Sequence, residues 1–313
     1  MPEIATQDLL TDRFCTFEIV GTQKTGKTFS LHTMLKHLEH QTALPKNLYL
    51  FDLDGDGAEA LLTALEKHSH APWARRPEDG GRLKVFRYNQ RARRMAEGTA
   101  PDRQQDPFID FVRDLNSVVN LVGQDGNWKD PAIAPGCIVI DPCTSFTEMC
   151  FDYICRKRGK EVGGSREQGA VSEDGKVLKY IEPMDWVSLQ DKTLEMIKVI
   201  KSLPCHRIVT FHEELIQEMV AGTLSMDRNV PAIQPKATGQ IYNLPLLSGK
   251  LQSSIGKNFS VILYTRYYPA ATRNDCYQWL TVPSESEHVK TVGARSKTDL
   301  QPRIPQDFCK LLD

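Results

Sequence analysis

The chain of 313 residues has no CxxC pair and no HExxH signature, no apolar run of bilayer length, and almost no net charge. Each absence removes a class of protein. Its eight cysteines come no closer in any helix-like stretch than Cys150 and Cys155, so a disulfide scaffold or a structural zinc site is not expected. Reduced thiols in a cytosol-like compartment follow. The longest apolar runs, such as Val261–Tyr264, fall far short of the roughly 18 residues needed to cross a bilayer, so no membrane association is expected. Met1 to Leu10 carries acids and no basic stretch ahead of an apolar core, and so does not read as a secretory signal. A cytoplasmic protein is expected. With 39 Lys+Arg against 40 Asp+Glu, bulk electrostatics give no permanent grip on a polyanion.

What is present is an ordinary globular composition, 40% hydrophobic and 25% charged, arranged in alternating patterns. Phe14–Val20 is rich in aromatic and branched residues and ends at Gly21, which predicts a strand. Leu31, Met34, Leu35 and Leu38 then recur at helical spacing and predict a helix over 29–39. Leu48–Phe51 is too continuous to be half-exposed and predicts a strand of a parallel sheet covered on both faces; a helix over 58–68 follows. This is a βαβ pattern. Residues 71–135 interrupt it with a basic stretch, a strand over 83–88 and a helix over 107–122. The alternation resumes with a strand at 137–140, a helix over 145–158, a Gly-rich polar loop over 159–180, a helix over 184–202 and a strand at 207–211. From 213 onward the pattern is strand-rich, with candidates near 215–220, 259–267, 276–282 and 288–294, and a last short helix over 305–312. The expected fold is a single α/β domain over 1–313, with 71–135 as an insertion or elaboration and 213–313 as a strand-rich C-terminal part.

Gly21-Thr22-Gln23-Lys24-Thr25-Gly26-Lys27-Thr28 matches GxxxxGK[ST] in full, between a predicted strand and a predicted helix. Such a loop presents backbone N–H groups and a helix N-terminus to a diphosphate. Lys27 would reach the β and γ oxygens, the Thr28 hydroxyl would ligate Mg2+, and Phe29 closes the nucleotide-binding segment. Lys24 adds a second cation beside the loop. Asp141 closes the strand at 137–140, four apolar residues ending in an acid, which places a carboxylate near the metal shell. The second strand ends in Asp52-Leu53-Asp54-Gly55-Asp56-Gly57. A calcium loop beginning at Asp52 would need Glu at its twelfth position, where Thr63 stands, so a carboxylate that orients an attacking water is the better reading. His212 ends a fourth apolar strand, where a polar side chain could sense the γ-phosphate.

The order GTQKTGKT, FDLDG, IVIDP, VTFHEE, each at a strand end, resembles the RecA-like ATPase core. More narrowly, the GxxKxGKT loop is similar to that of phage-type nucleotide-binding proteins, including the single-strand annealing ATPases of the Sak family. Residues 247–251, 259–264 and 293–297 are similar to the C-terminal pattern of that group, and the likeness covers about 14–60 and 135–300. The resemblance implies ATP and Mg2+ as ligands, a RecA-like domain, and a homo-oligomer, ring or filament. It puts Asp54 in the water-activating place and Asp52 beside it; this chain offers Asp where the family carries Glu, so Asp52 and Glu59 stay open as alternatives. His212 takes the sensor place. Such sites are completed by a neighbouring subunit's cation, for which Arg295 is the first candidate, then Lys297 and Lys250.

From Arg75 to Arg94 there are eight basic residues against Glu78 and Asp79, a net of +6, with Phe86 and Tyr88 among them. Interleaved arginines and aromatics suit single-stranded DNA, and Arg87, Arg91, Arg93 and Arg94 are the candidates there. Arg156 and Arg158 lead into the Gly-rich loop, which stands where RecA-like proteins hold a DNA-facing loop; a second would span roughly 221–245. Two function classes compete. One is an ATPase, phage-encoded, that works on single-stranded DNA in recombination or annealing, in the host cytoplasm and in company with a single-strand binding or replication protein. The other is an ATP-driven motor or loader for packaging or replication, acting through protein partners. A small-molecule kinase is disfavoured, because no Arg-rich lid is evident and the acid-ended second strand favours water as the nucleophile.

Overall fold

The computed structural model describes residues 14–42, 44–68, 70–88, 106–157, 183–220, 236–247, 250–267, 277–281, 301 and 303–312. Strand β1 (Thr16–Val20) leads through a loop into helix α1 (Leu31–His40). Then come β2 (Asn47–Asp52), α2 (Gly57–Lys67), β3 (Leu83–Arg87), α3 (Pro107–Val119) and β4 (Pro135–Asp141). Helices α4 (Cys143–Lys157) and α5 (Pro183–Lys201) precede β5 (His206–Phe211). The remainder is β6 (Glu213–Val220), β7 (Lys236–Pro245), the short α6 (Lys250–Ser254), β8 (Val261–Tyr267), β9 (Tyr277–Leu280), β10 (Arg303–Pro305) and α7 (Phe308–Leu312).

Eight strands form one sheet in the order β10-β9-β8-β1-β5-β4-β2-β3. The neighbours from β8 to β3 pair in parallel, while β9 and β10 are added antiparallel. Strands β1, β2, β4 and β5 are buried along their whole length, as their unbroken apolar runs require of a sheet covered on both faces. Alternate residues feed two cores. Tyr49, Phe51, Ile138, Ile140, Val209 and Phe211 meet Phe111, Phe146 and Ile197 from α3, α4 and α5. Leu48, Leu50, Cys137, Val139, Phe17 and Ile19 meet Leu31, Leu35, Leu61 and Phe308 from α1, α2 and α7 on the other face. The chain is therefore an α/β protein with a large, mostly parallel central sheet flanked by helices.

Several boundaries differ from the sequence pattern. Helix α1 begins at Leu31 rather than 29, because Thr28, Phe29 and Ser30 are spent in a turn in which Ser30 N–H bonds the Gly26 carbonyl and the Ser30 hydroxyl bonds that of Lys27. Helix α3 ends at Val119, three residues early, and Val122 turns to bridge Trp128. Its start is clear: Asp106 caps Phe108 N–H at 2.9 Å and Pro107 opens the first turn. Strand β3, within 71–135, pairs in parallel with β2 and extends the main sheet. Strand β7 stands at 236–245, within the stretch expected as a second DNA-facing loop, and β10 takes Pro305, so the last helix begins at Phe308 rather than 305. The loop over 159–180 and the strand candidate at 288–294 lie outside the described residues. Among the described residues, no helix is long and apolar enough to cross a membrane.

Candidate functional site at the carboxyl edge of the sheet

Because β1, β2, β4, β5 and β8 run in parallel, their carboxyl ends share one edge, the place where open α/β sheets bind ligands. Asp52 stands opposite Asp141 in the β2–β4 register, and Val20 lies between Phe211 and Tyr264. The strand ends picked out in the sequence are thereby neighbours.

The 21–28 loop hugs β8. A Cβ at Gly21 would fall 1.9 Å from the Thr265 hydroxyl, so only glycine fits. Thr265 is bonded to the Thr25 hydroxyl at 2.7 Å and to the Val20 carbonyl. Lys24 and Gly26 both take positive φ, 62° and 87°, and the Gly26 Cα faces Gln306 and Tyr277. Thr22, Gln23 and Lys24 are exposed. Lys27 is 7% exposed, and its ammonium donates to the Gly21 and Thr22 carbonyls, both at 2.8 Å. Burial lowers its pKa, against the opposing pull of Asp141, Glu213 and Asp54. Among the described residues, the N–H groups of Gly26, Lys27 and Thr28 donate to no acceptor. Unpaired amides beside a buried ammonium are what a polyanion needs. Phe29 turns away, packing edge-on against His32 and His68 under the Lys67 ammonium.

The three acids of the edge are held differently. Asp141, 5% exposed, accepts from the Thr28 hydroxyl at 2.5 Å and from Thr210. Asp52 is fully buried and spends both oxygens on the turn that follows it, accepting from Gly55, Gly57 and Ala58 N–H at 2.8, 3.3 and 3.0 Å. Burial raises its pKa although these N–H groups oppose it. Asp52 is thus a structural cap for α2. Asp54 is half-buried and accepts from Ser145 and from His212 Nε2, the latter at 3.2 Å. Burial pushes its pKa up, but the bonds from His212 and Ser145 prevail and hold it below the usual carboxylate range. Glu59, the third alternative, is exposed and paired with Arg87 at 2.6 Å. Gly57 completes the space: a Cβ there would stand 2.7 Å from Asp141 Oδ2 and 3.4 Å from Thr28. The Thr28 hydroxyl and the Asp141 carboxylate, in direct contact beside that clearance, fit a small hard cation that takes oxygen ligands.

Ser145, Thr210, Thr265 and Glu148 belong to this edge and were not singled out from the sequence. Glu148, one turn beyond Ser145 on α4, is exposed to solvent, yet partial desolvation and then the charges of Asp54 and Asp152 raise its pKa. Only its position in the first turns of the helix after Asp141 could have marked it. Among the cations expected to meet DNA, Arg87 pairs with Glu59 and Arg156 with Asp106, each on the surface. Arg91, Arg93, Arg94, Arg158, Arg295 and Lys297 lie outside the described residues, and Lys250 opens α6 with its side chain undescribed. No protein-family model matches the chain, and no curated protein matches it.

Proposed function

We propose that the chain is a Mg2+-dependent ATPase with a RecA-like phosphate-loop site, acting as a homo-oligomer on single-stranded DNA in recombination or annealing. The observation that carries the nucleotide reading is the meeting of Lys27, the Thr28–Asp141 contact and the His212–Asp54–Ser145 cluster at one sheet edge. Lys27 would exchange its two carbonyl partners for phosphate oxygens, which offer the ammonium a stronger, charge-assisted bond. Thr28 and Asp141 would hold Mg2+, which when bound supplies charge neutralisation for the phosphates. Asp54 is ionised and oriented by two donors, so it is a weak base but a fixed acceptor for a water proton. In a loose phosphoryl-transfer transition state, orientation of the water counts for more than early removal of its proton. His212, bonded to Asp54, would report phosphate to β6, which begins at the next residue.

The DNA part of the reading rests on the resemblance and on the basic stretches. The ion pairs of Arg87 and Arg156 favour a second reading, a motor or loader that works through protein partners. Turnover of ATP with and without single-stranded DNA separates the two. Stimulation that fades with rising salt supports the first reading. Unchanged turnover together with no salt-sensitive DNA binding favours the second.

A further inference from the structure

The end of β8 touches two parts of the molecule at once. Through Thr265 it is bonded to Thr25 and packed against Gly21 of the 21–28 loop. Through its flanking residues it holds the base of the β6–β7 hairpin. Tyr264 donates to the Asn243 carbonyl at 2.8 Å, and Arg266 makes two bonds of 2.8 Å to the two carboxylate oxygens of Glu213. Glu213 is the first residue of β6, directly after His212, and its side chain is 6% exposed. Beside the ion pair, the hairpin closes on itself where Leu246 N–H meets the His212 carbonyl at 2.7 Å.

We propose that the Glu213–Arg266 pair is a latch that couples ligand charge at the 21–28 loop to the β6–β7 hairpin. Both are positioning residues. The inference rests on the nucleotide reading above and adds, beside the link through His212, a charge-driven route by which occupancy reaches the base of the hairpin.

The physical argument is charge competition. Glu213 directly follows His212, whose Nε2 meets Asp54, and Arg266 directly follows Thr265, which is bonded to Thr25 of the loop, so each charge stands one residue from a group that touches the site. A magnesium nucleotide adds net negative charge there. That charge repels Glu213 and attracts Arg266, and so acts against the one contact in which they face each other. A bidentate guanidinium–carboxylate pair with little exposure of the carboxylate is strong while closed and leaves a costly buried charge when opened, which gives two discrete arrangements. A ligand shifts such an equilibrium only by interacting differently with its two states, and the charge of the pair supplies that difference.

The test uses the full chain and a non-hydrolysable ATP analogue with Mg2+, with affinity measured by calorimetry and amide exchange followed over 213–220 and 236–245. In the wild type, binding is expected to speed hairpin exchange about fivefold. In Arg266→Ala and in the shape-preserving Glu213→Gln, affinity is expected to change by no more than about fivefold, the factor that linkage allows, while the hairpin exchanges fast at all times and no longer responds. Exchanging the two charges, Glu213→Arg with Arg266→Glu, is expected to restore slow exchange without ligand. A wild-type hairpin that ignores bound nucleotide overturns the latch, as does a Glu213→Gln hairpin that responds like the wild type. Absence of binding in the wild type appears in the calorimetry and overturns the nucleotide reading, and the latch with it.

Discussion

The two edges of the central sheet both bury charge, and they bury it to opposite ends. At the amino edge, Arg207 near the start of β5 is 7% exposed and donates to the carbonyls of Phe14, Ile200, Lys201 and Leu203. His206 beside it accepts from Cys15 N–H at 3.2 Å. Each ligand of that guanidinium is a chain carbonyl, so the cation closes loops and is used up in doing so. At the carboxyl edge, Lys27 is as deeply buried, yet it stands among Asp141, Asp54 and Glu213, with hydroxyls from Thr28, Thr210 and Ser145. Burial of a charge is thus no mark of a site by itself. Charges of both signs, hydroxyls and unpaired amides meeting at strand ends are such a mark.

Four outcomes would break or sharpen this contrast. The largest is expected at Asp54: Asp54→Asn should lower ATP turnover at least about 100-fold, as loss of a water-positioning group does, with nucleotide affinity within about threefold. A comparable loss in Asp52→Asn with the fold intact would move the role to Asp52. Next in size, Arg207→Met is expected to destabilise the fold by about 3 kcal/mol in denaturant unfolding, because it strips several buried carbonyls of charged donors. Turnover per folded molecule should not change; a selective loss of turnover would erase the difference between the edges. Thr28→Val should raise the Mg2+ concentration for half-maximal turnover about tenfold, read from a metal titration. The smallest effect concerns pH. Lys27 has a pKa lowered by burial, so its charge is lost below the ordinary lysine range as pH rises, and nucleotide affinity should fall on the alkaline side below pH 10.5. Calorimetry across that range checks the sign, and Lys27→Arg should move the alkaline limb upward.

The four strand ends were legible because each is a run of strand-forming residues cut off by a glycine or a polar residue, and parallel pairing brings such ends together. The choice among Asp52, Asp54 and Glu59 was not legible, since it depends on which carboxylate the local turn consumes. Gly55, Gly57 and Ala58 N–H groups take Asp52, Arg87 takes Glu59, and Asp54 is left to His212 and Ser145. Thr265 approaches the loop from 240 residues away, Arg266 reaches Glu213 from 53 residues away, and neither carries a local pattern. Strand β7 was missed because Lys236–Pro245 mixes Gly, Pro and polar residues and owes its conformation to antiparallel pairing with β6.

The central claim is that Lys27 belongs to a nucleotide site rather than to a structural clamp of the kind Arg207 makes. Turnover of Mg-ATP by the wild type and by Lys27→Ala, with the melting temperature of each, tests it most directly. Hydrolysis by the wild type, its loss in the variant and a melting temperature shifted by no more than a few degrees are expected. A variant that hydrolyses ATP at the wild-type rate, or a wild type that neither binds nor hydrolyses it, would contradict the claim.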